Sequence, residues 1–283
     1  LSYIDRIAAC AAPNLETYQP FIVDGLTVGY IKPAFSRVLG EYKDVFRIDD
    51  QMVRLAHGLE GFDARTDAVA GVLDTLMDRG DISGWRGERY PVGASFTAPA
   101  LLEIERAAVP LFGTIGYGVH LNGIVEAADG FAMWIGRRSL SKPTGPGKLD
   151  QIVAGGQPTG ISLIDNLIKE CAEEADIPAE LAASSIPVGA VTYVTERPEG
   201  LRRDVLFVYD LLLPSDFEPR NTDGEIEDFC LMSMAEVMER VQGTDDFKFN
   251  CALVVIDFLI RHGYLEPDHP EYDTLVHGLR RLK

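Results

Sequence analysis

Hydrophobic and polar positions along the chain fall into two textures, which change near Tyr117. In the first, short apolar runs alternate with stretches of helical period. "FIVDG" and "LTVGYI" predict short strands. "PAFSRVLGEY" predicts a helix with Pro33 at its first position, where the missing N–H has no partner to lose. "VFRIDD" and "MVRLA" predict two more strands, "DARTDAVAGVLDTLMDRG" a helix ending at Gly80, and "YPVGASF" another extended piece. "TAPALLEIERAAVPLFG" predicts a helix with Thr97 as its N-cap. Residues 1–116 are thus expected to form a small α/β domain, and no chemistry is legible in it.

From Tyr117 the apolar runs lengthen. "GVHLNGIVEA" and "FAMWIGRRSL" predict a hairpin about Asp129-Gly130. A loop, "SKPTGPGK", leads to the short strand "LDQIVA" and then to "GGQPTGISLIDNLIKECAEEADI", from Gly155 to Ile177. In that segment Ser162 predicts an N-cap, with Asp165 three residues on to complete a capping box. Ile164, Leu167, Ile168, Cys171 and Ala175 recur at helical spacing and are expected to face the core. "AVTYVTE" and "DVLFVYDLLL" predict a second antiparallel pair about "RPEGLRR". "EIEDFCLM" predicts one more strand, Ser233 and Glu236 a capping box for "MAEVMERV", and "DFKFNCALVVIDFLIRHG" the closing helix. Residues 117–283 therefore read as a mixed sheet with helices between and after its strands, an α/β fold of the α+β kind.

The length, 283 residues, suits two modest domains. No stretch approaches the ~18 uninterrupted apolar residues of a membrane helix. "LSYIDRIAAC" is broken by Asp5 and Arg6 and does not read as a secretion signal. Cys10, Cys171, Cys230 and Cys251 form no CxxC pair, so reduced thiols and a cytoplasmic location are expected rather than disulfides or zinc. The formal charge of −18 argues against a nucleic-acid binder. An anionic substrate would need divalent cations or a local arginine cluster.

Several apparent motifs fail on spacing. "GPGK" is not a phosphate-binding loop, because that motif needs Gly where Lys142 stands and Ser or Thr where Leu149 stands. "GTIGYG" lacks the dinucleotide spacing, the five histidines show no ligand spacing, and "DGEIED" has too few acids for an EF-hand loop. The Gly155–Ile177 segment differs. Glu170, Glu173 and Glu174 crowd one arc of the helix, where each like-charge neighbour costs about 0.2–0.5 kcal/mol. A solvated acidic face is one reading. The other is a site for Mg²⁺ or Mn²⁺, hard cations that take carboxylate oxygens.

The whole 23-residue frame resembles the Nudix box, G-x5-E-x7-R-E-U-x-E-E-x-G-U, with U a bulky apolar residue. Gly155 stands at the leading Gly, Glu170, Glu173 and Glu174 at the E-x-x-E-E core, Cys171 at the first U and Ile177 at the last. Ile161 replaces the early Glu, Lys169 the Arg and Asp176 the late Gly. Through "LDQIVAGGQPTGIS", "NTDGEIEDF" and "LVVIDFLIRHG", nearly the whole chain is similar to a narrower group, the Nudix part of fungal thiamine pyrophosphokinase fusion proteins and its stand-alone relatives.

The resemblance implies a Nudix mixed-sheet α/β/α sandwich over 117–283, preceded by the small N-terminal domain. It implies a Mg²⁺- or Mn²⁺-dependent pyrophosphatase of small-molecule diphosphates; charge and hydropathy lead us to expect no nucleic-acid or membrane partner, and a homodimer is left open. Glu170, Glu173 and Glu174 would hold metal. Glu170, Glu174, Glu225 or Glu227 would act in catalysis, with the loop acid Glu225 the first choice of base and Glu227 the second. Gly155 and Gly156 would bring backbone N–H groups to phosphate, and Arg137, Arg138 and Lys148 are clamp candidates. Alternation along the strand lets at most one of the two arginines face the site. Trp134 is a candidate for stacking on a substrate ring, or for the core. The implied substrate is thiamine diphosphate or its oxidised analogues. ADP-ribose or another nucleoside-diphosphate conjugate is the alternative, as is a binding module without catalysis.

Overall fold

The alternation near the N-terminus becomes a small mixed sheet. The computed structural model describes residues 1–128, 130–142 and 144–282. After α1 (Tyr3–Ala8), strands β1 (Gln19–Val23) and β2 (Leu26–Ile31) pair antiparallel across Asp24-Gly25, both at positive φ as a tight hairpin turn requires. Then come α2 (Pro33–Leu39), β3 (Phe46–Ile48), β4 (Val53–Leu55) and the long α3 (Phe62–Asp78). The strand order is β2-β1-β4-β3, with β1 and β4 parallel. Phe21, Phe46 and Phe112 pack ring to ring in the core of this half.

One expectation fails here. Residues 97–113 do not form a helix capped by Thr97. They hold β6 (Leu102–Glu105), which pairs with β5 (Arg89–Val92), then a short 3₁₀ turn (Arg106–Ala108) and α4 (Val109–Phe112). Leu102 and Ile104 point inward with the period of a strand, and Pro110 would interrupt a helix that ran on to Gly113.

The second half is built on a seven-stranded mixed sheet with main order β11-β12-β7-β8-β13. Its long strands are β7 (Ile115–Ala127), β8 (Gly130–Arg138), β11 (Ile186–Arg197), β12 (Gly200–Leu212) and β13 (Ile226–Ser233). The expected turn residue Asp129 lies outside the described residues. The run "LDQIVA" breaks at Ile152 into β9 (Leu149–Gln151) against β8 and β10 (Val153–Gly156) against β7. Strands β7 and β12 run parallel, and the other pairs are antiparallel.

Period-two alternation sends Val119, Leu121, Tyr209 and Leu211 to one face, under α5 (Leu163–Ala175) and near α6 (Ala179–Ala182). It sends Leu206 and Val208 to the other, under α7 (Met234–Gly243), α8 (Phe249–Arg261) and α9 (Tyr272–Gly278). Helix α8 is apolar nearly all round because it is buried nearly all round. The opening helix α1 joins this face: its Tyr3 and Ile7, and Cys10 just after it, belong to the α8 core, far from them in sequence. Among the described residues, no helix is long and apolar enough to cross a membrane.

Candidate active site

Helix α5 presents its carboxylates because its other face is pinned to the sheet. Leu167, Cys171 and Ala175 are fully buried, whereas Ile164, expected in the core, is exposed on the first turn. Ser162 caps the helix by accepting from Asp165 N–H at 3.1 Å. Its hydroxyl donates to the Asp165 carboxylate, so the reciprocal half of a capping box is replaced by a side-chain bond. Two ties join α5 to β10, and a third closes the loop between them. The Ala154 N–H donates to Glu174 Oε2 at 2.8 Å, Asn166 Nδ2 to Gly156 O at 2.8 Å, and Gln157 Nε2 to Ile161 O at 2.8 Å. At the far end Asp176 takes the left-handed conformation, φ 54°, that the late glycine of the motif supplies.

Glycine at 155 and 156 permits a close approach of neighbouring side chains. A Cβ on Gly155 would lie 2.3 Å from Glu170 Cδ, and one on Gly156 would lie 1.8 Å from the Tyr90 hydroxyl. The strand therefore passes directly against a carboxylate on one side and the N-terminal half on the other.

Glu170, Glu173, Glu174, Gly155, Gly156, Arg138 and Glu225 line one cleft. Glu174 is buried, accepts from Ala154, and has no cation within 4.0 Å among the described residues; burial pushes its carboxyl well above the usual range. Burial raises Glu170 too, despite Lys169 at 3.2 Å, and the same lysine reaches Glu173 at 2.7 Å. A buried carboxylate without a counter-charge, beside two others sharing one lysine, is an oxygen donor set that suits a hard divalent cation. The carboxylates fit the metal that the motif implies.

The acid loop reaches the cleft from Arg220 onward. Arg220 N–H donates to Ala175 O at 3.1 Å, the Thr222 hydroxyl donates to the end of α5, and Asn221 Oδ1 accepts from Gly224 N–H at 2.8 Å. This folding brings Asp223 and Glu225 to the cleft edge. Burial alone would raise the Glu225 carboxyl, but its bond from Lys142, reinforced by Arg86 and Arg106, holds it below the usual range.

Three candidates stand outside the cleft. Arg137 points to the other face of β8, where it donates to Gly147 O at 3.2 Å and lies 3.4 Å from Asp228. Lys148 donates to Asp245 O. Glu227 is exposed at a bulge in β13 that turns Ile226 inward. Arg138 does line the cleft, yet its guanidinium is engaged by Asp150 at 2.7 Å and Thr144 O at 3.0 Å. Trp134 packs against the α5-side core.

Other cleft residues carry no local sequence signal. Lys142, Arg202 and Lys248 come from the second half, and Arg86 and Arg106 from the first. A second chamber of about 140 Å³ adjoins the cleft, sharing Gly155, Gly156 and Arg106, with walls from Tyr90, Tyr117, Pro110 and Leu206. Below it, donor atoms of His120, Asp150 and Cys251 lie within 4.8 Å of one another, close enough to hold a metal ion. That cluster is already satisfied. Asp150 faces Arg138 and Lys248 and accepts from the Cys251 thiol, and His120 bonds Gln151 at 2.8 Å.

Residues 2–115 match a family model described as a domain of unknown function (DUF4743). Nudix hydrolase 20, chloroplastic, of Arabidopsis thaliana is 46% identical, covering 98% of this chain and 77% of that protein. Nudix hydrolase 24, chloroplastic, of the same plant is 45% identical with the same coverage. A solved structure, the NUDIX domain of Shewanella oneidensis NrtR complexed with ADP ribose, is 14% identical with a TM-score of 0.40, covering 53% of this chain and 91% of that one. The two plant relatives, alike over nearly the full chain, define the class as a hydrolase. The chain belongs to the Nudix hydrolase family.

Proposed function

We propose that this Nudix hydrolase cleaves a diphosphate linkage in a small molecule, with thiamine diphosphate or an oxidised analogue as substrate and the monophosphate plus phosphate as products. The observation that carries the reading is the convergence of Glu170, Glu173, Glu174 and Glu225 with the glycine pair in one cleft. Glu170, Glu173 and Glu174 would hold Mg²⁺ or Mn²⁺, which supplies phosphate-charge screening and an acidified water. Glu225 stays ionised and is the base that takes a proton from the attacking water. Lys169 holds Glu170 and Glu173 in register, the part the motif gives to Arg. Gly155 and Gly156, which line the cleft, would let a phosphate oxygen approach the backbone. The adjoining chamber, between Tyr90 and Tyr117, takes a small aromatic group.

The test is a substrate panel with Mg²⁺ and with Mn²⁺: thiamine diphosphate, its oxidised analogues and ADP-ribose, read by release of monophosphate and phosphate. Faster turnover of the thiamine compounds supports the full reading. Preference for ADP-ribose moves the substrate to nucleoside-diphosphate conjugates. No turnover of any diphosphate with either metal makes the chain a binding module.

A further inference from the structure

We propose that the N-terminal domain supplies part of the phosphate site, with Arg86 and Arg106 gripping the phosphoryl oxygens that point away from the α5 carboxylates. The inference rests on the hydrolase reading above and adds a role for residues 81–108. On a chain of net charge −18, the cleft is the exception: seven Lys or Arg side chains line it against six acids. Most cations from the second half are already engaged. Arg138 is held by Asp150, Lys142 by Glu225, and Lys169 by Glu170 and Glu173. Arg202 lies 2.8 Å from Glu199 and 3.3 Å from Asp204.

The two N-terminal arginines are freer. Arg86 is exposed and has no carboxylate within 4.0 Å among the described residues. Arg106 has one partner, Glu88 at 2.9 Å, and its Cζ lies 3.2 Å from where a Gly156 Cβ would sit. That places it beside the glycine backbone. Hydrogen bonds hold the backbone at both positions. Glu105 accepts from Arg86 N–H at 2.8 Å and Ala107 N–H at 3.3 Å, and Arg106 N–H bonds back to Glu88 O at 2.8 Å. Two guanidiniums on a rigid base, facing three carboxylates across one cleft, suit a ligand with two phosphoryl groups. One group meets the cations that the carboxylates hold and the other meets the forked donors of arginine. A monophosphate meets only one half.

The experiment uses the full chain and methylenediphosphonate, a diphosphate that cannot be hydrolysed at its bridge. Its affinity is measured by calorimetry with Mg²⁺ present, for the parent, Arg86→Ala, Arg86→Lys and Arg106→Gln. Mn²⁺ binding, read by electron paramagnetic resonance, reports the carboxylate site separately. The clamp predicts affinity about tenfold or more weaker in Arg86→Ala and Arg106→Gln, the loss of one charge-assisted hydrogen bond, with partial recovery in Arg86→Lys and unchanged Mn²⁺ binding. Equal diphosphonate affinity in the parent and Arg86→Ala would overturn it. So would a parent that binds Mn²⁺ but no diphosphonate, with the carboxylate site still standing. A parent that binds neither would sink the hydrolase reading and the clamp together. If Arg106→Gln disturbs the fold through its lost Glu88 pair, Arg86→Ala decides, because it breaks no ion pair among the described residues.

Discussion

Glu174 and His120 illustrate how burial sets chemistry residue by residue. Both are buried. Glu174 is left without a cation, whereas His120 sits against Gln151 with Asp150 beyond it. Burial brings His120 down to about 4, against the opposing pull of Asp150. As pH falls below the usual ~6.5 of histidine, the unfolded chain takes a proton that the folded chain refuses. Stability is therefore lost between about 6.5 and 4, and it is complete above that window. His120→Gln, which keeps a polar group beside Gln151, should shrink the stability difference between pH 7 and pH 5 in urea melts. An undiminished difference would assign the acid sensitivity to other groups. The three glutamates of α5 were legible in the sequence because their spacing on one helix is a local fact. Arg86 and Arg106 were not, because nothing near them in sequence says that their loops meet Gly156.

Among the elements, α5 follows its sequence from Ser162 to Asp176, and one residue sets its end. Asp176 holds φ 54° with only an exposed partner, Arg220 at 3.3 Å, to compensate. Asp176→Gly should stabilise the fold by about 0.5–1 kcal/mol, since glycine enters the left-handed region without the side-chain clash and an exposed ion pair contributes little. Urea denaturation at neutral pH measures it; a destabilised variant would mean that the Arg220 pair matters more than the backbone. The long strands and α8 were readable because their apolar runs are long. The segment from Thr97 to Gly113 was misread for the opposite reason. Its four-residue strand is as consistent with a helical turn as with a strand until β5 pairs with it. Ile164 follows the helical period yet lies on the first turn, beyond the edge of the packed face.

The whole molecule ties its beginning to its end. Ile7 is buried in the α8–α9 core, and a Cβ on Gly278 would come within 2.5 Å of it. Ile7→Ala should cost about 2–4 kcal/mol, as for other large-to-small changes in a core. Hydrogen exchange should rise in α8 and α9 and stay unchanged in the sheet of β1–β4. Faster exchange in that sheet instead would mean that α1 steadies the first half. No local pattern predicts this closure, because α1 is a short amphipathic stretch whose partner lies more than two hundred residues away.

The same whole-molecule balance concentrates cations and carboxylates of an acidic chain in one cleft. We propose that the carboxylates there work on a diphosphate. Turnover of the preferred diphosphate by Glu174→Gln with saturating Mg²⁺ tests it most directly. The substitution keeps the size of the side chain and removes a buried carboxyl that has no counter-cation, so the metal-free melting temperature should hold or rise slightly. Turnover should fall by roughly a hundredfold or more, since metal at such a site contributes several kcal/mol and each ~1.4 kcal/mol is tenfold in rate. A folded Glu174→Gln that turns over diphosphate at the rate of the parent would mean that the α5 carboxylates do not carry the hydrolysis.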